Sequence, residues 1–173
     1  MLPSSDEYDA FVRSRTPALL RSAYLLTGDQ HLAEDLVQAA LARTHRSWGR
    51  LYESGNAEAC TRKVMYHLQV AWWRRSRVAE VFPGAVPDLP QNATRFDDQA
   101  AVRATLRQAL SRLTTRQRAV LVARFFEDRS EAETAELLGV NVGTVKSQTA
   151  RALRRLRAVS PELADVYVAG GAS

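Results

Sequence analysis

The chain has 173 residues, 46% of them apolar and 25% charged, which suits one or two compact domains and excludes a wholly disordered chain. A formal net charge of +5 favours a polyanionic partner such as nucleic acid or an anionic membrane. The single cysteine, Cys60, excludes an internal disulfide or a thiolate metal cluster, and no apolar run reaches the roughly 18 residues of a membrane span. The acidic opening MLPSSDEYDA is unlike a signal peptide, so the expected location is the cytoplasm, with no membrane partner. Cys60 itself reads as a small, half-buried apolar side chain.

From about Tyr8 to Arg77 the pattern is helical, with no strand alternation and no hairpin-turn dipeptide. Thr16 before Pro17 reads as an N-cap and first helical position, so the opening helix is expected to restart or kink there. Gly28 and Asp29 then close it. The next helix carries Leu32, Leu36, Val37, Ala40, Leu41 and Trp48 at core spacing, while His31, Glu34, Asp35 and Gln38 share another face. A third helical stretch runs from about Ala57 to Arg77 and ends in WWRRSR, where Trp72 and Trp73 are followed by Arg74, Arg75 and Arg77. Bases of an opened strand can stack on such rings, at roughly 1–3 kcal/mol each, while guanidinium groups hold phosphates. Equally, either tryptophan suits a helical core.

The stretch AEVFPGAVPDLPQNATRFDD holds three of the chain's six prolines, Pro83, Pro87 and Pro90, and has no helical period. It reads as a linker. Helical periodicity resumes from about Gln99 to Val159. The expected fold is therefore all-α: a first helical domain over 8–78, a flexible linker over 79–98, a second helical domain over 99–159, and a tail over 160–173 too short to add another.

Two capping boxes organise the second half, Thr114 with Gln117 and Ser130 with Glu133. The short helix EAETAELLG places Ala135 and Leu138 inward and ends on Gly139, where a left-handed turn is wanted. Asn141 can then cap a new helix from Val142. A short capped helix, a Gly-containing turn and a second helix make a helix-turn-helix, whose second helix enters the DNA major groove. That helix carries Lys146, Arg151, Arg154, Arg155 and Arg157, with no acidic residue between Val142 and Arg157. Lys146, Ser147, Gln148 and Arg151 can bond base edges or phosphates, and Val145, Ala152, Leu153 and Leu156 form the packed face.

The segment LGVNVGTVKSQTARALRRLR, preceded by LTTRQRAVLVARFFED, resembles region 4 of bacterial sigma factors. AYLLTGDQHLAEDLVQAALARTHRSW is similar to sigma region 2, and CTRKVMYHLQVAWWRR is similar to an actinobacterial, sigma-E-like subgroup. From about Tyr8 to Val159 the chain thus resembles the small extracytoplasmic-function (group IV) sigma factors. The resemblance implies a protein that directs RNA polymerase core to promoters and opens them. Its partners are then the polymerase β′ clamp helices and β subunit and promoter DNA, with room for an anti-sigma protein.

By that likeness Glu34, Asp35, Leu36, Val37 and Gln38 meet core polymerase. Arg62, Lys63, His67, Trp72, Trp73, Arg74, Arg75 and Arg77 bind the minus-10 element. Lys146, Ser147, Gln148, Arg151, Arg154 and Arg155 bind the minus-35 duplex, with Arg154, Arg155 and Arg157 suited to phosphate or polymerase contacts. Four positions depart from the family pattern: Thr134 stands at a usual Ile or Val, Asn141 at a usual Ser, His67 at a usual Asn, and Ala71 at a frequent Asp or Ser.

The competing reading is an autonomous transcription regulator that uses only the helix-turn-helix and would need neither the polar stripe of the second helix nor the WWRR end, whereas an interaction adaptor with a basic surface leaves the paired capping and turn chemistry unexplained. An enzyme is disfavoured, because there is no Gly-rich phosphate loop, GxSxG, HExxH or CxxC motif. His31, His45 and His67 lack ligand spacing. No catalytic residue, metal site or cofactor is expected.

Overall fold

The computed structural model describes the backbone of residues 4–79 and 98–162, and side chains over 4–72 and 104–162. The expected linker and tail therefore lie almost wholly outside the described residues. Eight α-helices are described: α1 (Ser5–Thr27), α2 (Gln30–Arg46), α3 (Trp48–Ser54), α4 (Ala57–Ala79), α5 (Asp98–Ser111), α6 (Thr115–Leu121), α7 (Glu131–Leu138) and α8 (Val142–Val159). No strand occurs among the described residues.

The expected break at Thr16–Pro17 is absent, and α1 runs through Pro17 without a restart. Thr16 is not a cap; its Oγ1 donates back to Val12 O at 2.6 Å. Pro17 cannot donate to the Arg13 carbonyl. Both residues are exposed, so water can reach that carbonyl. Gly28 ends the helix in a left-handed conformation (φ +73°), and Asp29 opens α2 by accepting from Leu32 N at 2.9 Å.

Helix α2 packs on both α1 and α4. Leu36, Val37, Ala40 and Leu41 enter this core with Leu19, Ala23 and Leu26 of α1 and Met65, Tyr66 and Leu68 of α4. A buried hydroxyl pair, Thr44 Oγ1 to Thr61 Oγ1 at 2.8 Å, ties α2 to α4. Two expected α2 core residues sit elsewhere. Leu32, in the first turn of α2, is 49% exposed. Trp48 is buried but belongs to α3, a short helix the periodicity did not resolve, and its ring meets Tyr8 and Phe11 at 5.1 Å.

In the second half, Leu110 and Leu113 of α5 and its exit meet Leu121 of α6 and Ala152 and Leu156 of α8. Val120, Ala135 and Val145 join α6, α7 and α8 in a smaller cluster. Between α6 and α7 the chain makes one π-helical turn over Val122–Phe126, closed by Glu127 N to Val122 O at 3.0 Å. Asp128 follows with φ +52°, a left-handed position that Asp tolerates better than most residues.

The two halves touch, which the linker gave no reason to expect. Ala119, Val122, Ala123 and Leu137 belong to the same core as α1, α2 and α4. Arg118 adds a polar tie across the boundary, with Nη1 donating to Leu26 O at 2.8 Å and Nε to Leu110 O at 3.0 Å. Burial lowers the Arg118 pKa, the cost of holding a guanidinium away from water.

Candidate nucleic-acid interface

The geometry of α7, turn and α8 follows from its caps. Ser130 N donates to Glu133 Oε2 at 2.7 Å, and Glu133 N donates to Ser130 Oγ at 3.1 Å. Hydrogen bonding to its carboxylate from the Ser130 backbone N–H, and then from the Ser130 side chain, holds Glu133 below the usual carboxyl range. Gly139 closes α7 at φ +66°, where a side chain would be strained, and Val140 N donates to Ala135 O at 3.0 Å. Asn141 Oδ1 accepts from Thr144 N at 2.7 Å to start α8. Gly143 leaves space for that cap, since a Cβ there would stand 3.3 Å from Asn141 Oδ1. Thr114 and Gln117 close the other expected capping box, opening α6.

Val145, Ala152 and Leu156 are fully buried, Leu153 partly so, and these residues fix the rotation of α8. Lys146, Ser147, Arg151, Arg154, Arg155 and Arg157 consequently face solvent. Ser147 Oγ donates to Thr144 O at 3.1 Å. Lys146 Nζ lies 3.8 Å from the Glu131 carboxylate, an exposed pair of little worth that does not commit the lysine. Gln148 is the exception among the expected readers. It is half-buried and lines a cleft toward α4, together with His67 and Arg116.

Helix α4 separates the residues expected at the minus-10 element. Lys63 and His67 are exposed. Trp72 is half-buried and packs against the first core. Trp73, Arg74, Arg75 and Arg77 lie in the last turns of α4, and their side chains are outside the described residues. Arg62 does not share the exposed face. Its side chain is 13% exposed and is bonded to Ser22, Glu58 and Glu127.

On α2, Glu34, Asp35 and Gln38 are exposed on one polar face, with Gln30 Nε2 donating to Glu34 Oε1 at 2.9 Å. Leu36 and Val37 correct the expectation of polymerase contact: at 0% and 2% exposure they are core, facing α1 and α4. Exposed Leu32 stands on the outer surface instead. Sequence reasoning also passed over Glu127 and Arg118, whose importance comes from partners 65 and 92 positions away. No local pattern marks them.

A family model described as "Sigma-70 region 2" matches residues 11–77, and one described as "Sigma-70, region 4" matches residues 103–156. The chain is 42% identical over 151 residues to the RNA polymerase sigma-E factor of Streptomyces coelicolor, covering 87% of this chain and 84% of that one. It is 34% identical over 161 residues to the ECF RNA polymerase sigma factor SigE of Mycolicibacterium smegmatis, covering 90% and 61%. Among solved structures, the sigma factor RpoE of Bartonella quintana, crystallised with the anti-sigma factor NepR, has a similar fold. The TM-score is 0.66 at 24% identity, over 90% of this chain and 98% of that one. With both matched regions built of the helices described above and a sigma-E relative aligned over most of its length, the chain belongs to the sigma-70 family as a sigma factor of the extracytoplasmic-function type.

Proposed function

We propose that residues 8–78 dock the chain on RNA polymerase core and bind and open the minus-10 element, and that residues 99–159 bind the minus-35 duplex, in the cytoplasm and without catalysis by the chain itself. The observation that carries this reading is the capped α7–turn–α8 unit, whose buried Val145, Ala152 and Leu156 leave Lys146 and Ser147 outward on the N-terminal half of α8 and Arg151 outward at its middle. A helix entering the major groove brings that half closest to base edges. Arg154, Arg155 and Arg157 follow on the exposed side and suit phosphates. Exposed Glu34, Asp35 and Gln38 form an acidic and polar face for basic residues of the β′ clamp helices. Lys63, His67, Trp73, Arg74, Arg75 and Arg77 are assigned to the opened strand, Arg62 joining them once freed from its ion pairs. An anti-sigma protein, such as the one crystallised with the Bartonella sigma factor, is a further proposed partner.

Run-off transcription with purified core polymerase on a promoter library tests the activity and reads both elements together. The wild-type chain is expected to give promoter-specific transcripts. Asp35→Arg should lose co-purification with core by about tenfold while keeping its helicity, since charge reversal on a docking face costs roughly a kcal/mol or more. Sequence-specific duplex binding without any dependence on core polymerase would instead favour an autonomous regulator.

A further inference from the structure

A cleft of about 340 Å³ lies between α4 and the helices α6, α7 and α8. Its floor is apolar, with Val120 of α6 buried and Val70 of α4 and Leu138 of α7 half-buried. Three polar side chains converge over that floor: His67 from α4, Arg116 from α6 and Gln148 from α8. Among the described residues, none of these side chains makes a hydrogen bond or an ion pair. Other arginines packed between the helices are committed: Arg62 and Arg129 hold Glu127, and Arg118 holds two backbone carbonyls.

The charge of the cleft is unbalanced as well. No Asp or Glu is among the described residues that line it, so the Arg116 guanidinium meets no carboxylate there. Ala71, one residue from Val70, also lines the cleft and stands where Asp or Ser is frequent in the family. In this chain a methyl group takes the place of a possible acid. Arg116 is exposed at the rim, where an anion arriving from solvent can reach it. A guanidinium fork bonds a carboxylate with two charge-assisted hydrogen bonds, and one guanidinium balances a monoanion rather than a phosphate dianion.

Size limits the occupant further. The volume equals that of a cube about 7 Å on an edge, whereas a helix with its side chains is about 10–12 Å across, so a partner's helix does not fit. It lies at the lower end of the range of about 300–1,000 Å³ that small-molecule sites occupy, and such sites combine an apolar lining with a few placed polar groups. We propose that this cleft binds a small carboxylate with a ring-sized apolar body, the body resting on Val70, Val120 and Leu138 and the carboxylate on Arg116. The Gln148 amide and the His67 ring complete the polar rim. The site goes beyond promoter recognition, and it holds whether or not His67 and Gln148 also touch DNA.

The test titrates the full chain with 2-naphthoate, with the neutral analogue naphthalene-2-methanol and with the cationic analogue naphthalen-2-ylmethylammonium, followed by backbone amide shifts in proton–nitrogen correlation spectra. A probe of about 13 non-hydrogen atoms at ordinary ligand efficiency binds with a dissociation constant on the order of 1 mM. The carboxylate should bind tightest and the ammonium weakest, with the largest shifts at the amides of Val70, Gly139 and Val140. Arg116→Gln should weaken 2-naphthoate about tenfold and leave the alcohol unchanged, since a hydrogen bond to a charged group contributes that much or more. Ala71→Asp, at an exposed position, should do the same by placing a like charge beside the carboxylate. Arg112→Gln, equally exposed but outside the cleft, should change neither probe and so controls for general attraction to a basic chain. Circular dichroism checks that each variant is folded.

Shifts that do not saturate, or that saturate at other amides, overturn the site. Equal affinity for the three probes, or equal losses in Arg112→Gln and Arg116→Gln, overturns the carboxylate assignment.

Discussion

Thr134 is fully buried in α7, and its hydroxyl has no hydrogen-bond partner. A buried hydroxyl without a partner costs about 1–3 kcal/mol. Thr134→Val keeps the branched shape and removes that group, so it should stabilise the protein by about 1–2 kcal/mol. Urea unfolding midpoints at equal slope provide the measurement, and a loss of stability would show that the hydroxyl is satisfied in solution. Leu36 and Val37 are buried while Asp35 and Gln38 are exposed, because neighbours in sequence differ by about 100° around a helix. Composition marks the acidic run, and burial decides which of its members have a surface.

Helix α8 is divided by position along its length. It presents Ser147 in its N-terminal half, Arg151 at its middle, and Arg154, Arg155 and Arg157 beyond, all exposed while Val145 and Leu156 are buried. A base-reading contact is worth about 1–3 kcal/mol at one promoter position, whereas a phosphate contact contributes to every sequence and steepens the salt dependence. Arg151→Ala should therefore relax preference at one minus-35 position. Arg157→Ala should weaken all sequences alike and flatten the salt slope. Holoenzyme binding to a single-base minus-35 library at two salt concentrations separates them, and a uniform shift for both would remove the division. Helix α1 carries the opposite lesson, since Thr16–Pro17 has the form of a helix start yet lies inside one. Pro17 loses a single hydrogen bond, and burial of Leu19, Ala23 and Leu26 just beyond it outweighs that loss.

At the scale of the whole molecule, the boundary between halves holds a buried titratable group. Tyr66 is fully buried in α4 beside Glu127. Burial, then the Glu127 negative charge, raise its pKa well above 10. The folded chain therefore keeps this proton at a pH where the unfolded chain releases it. The resulting stability is fully present below about pH 10 and is lost as pH rises beyond it. Urea midpoints should fall between pH 8 and about pH 11. Tyr66→Phe should shrink that fall without removing it, because burial and hydrogen bonding raise Tyr8 and Tyr52 as well. An identical fall in the variant would exclude Tyr66 as its source.

The sequence by itself determined the all-α class, the caps at Thr114, Ser130 and Asn141, the turn at Gly139 and the packed face of α8. Each depends on residues within a few positions of one another, where backbone geometry alone sets the partners. Only the tertiary structure decided that Leu32 is outside, that Trp48 starts its own helix, and that Arg62 is bound to Glu127 rather than lying beside Lys63. Those outcomes depend on which elements meet across 40 to 92 residues of chain. A helical period shows that a face is apolar, but a guanidinium selects among distant carboxylates and carbonyls only after the helices have packed.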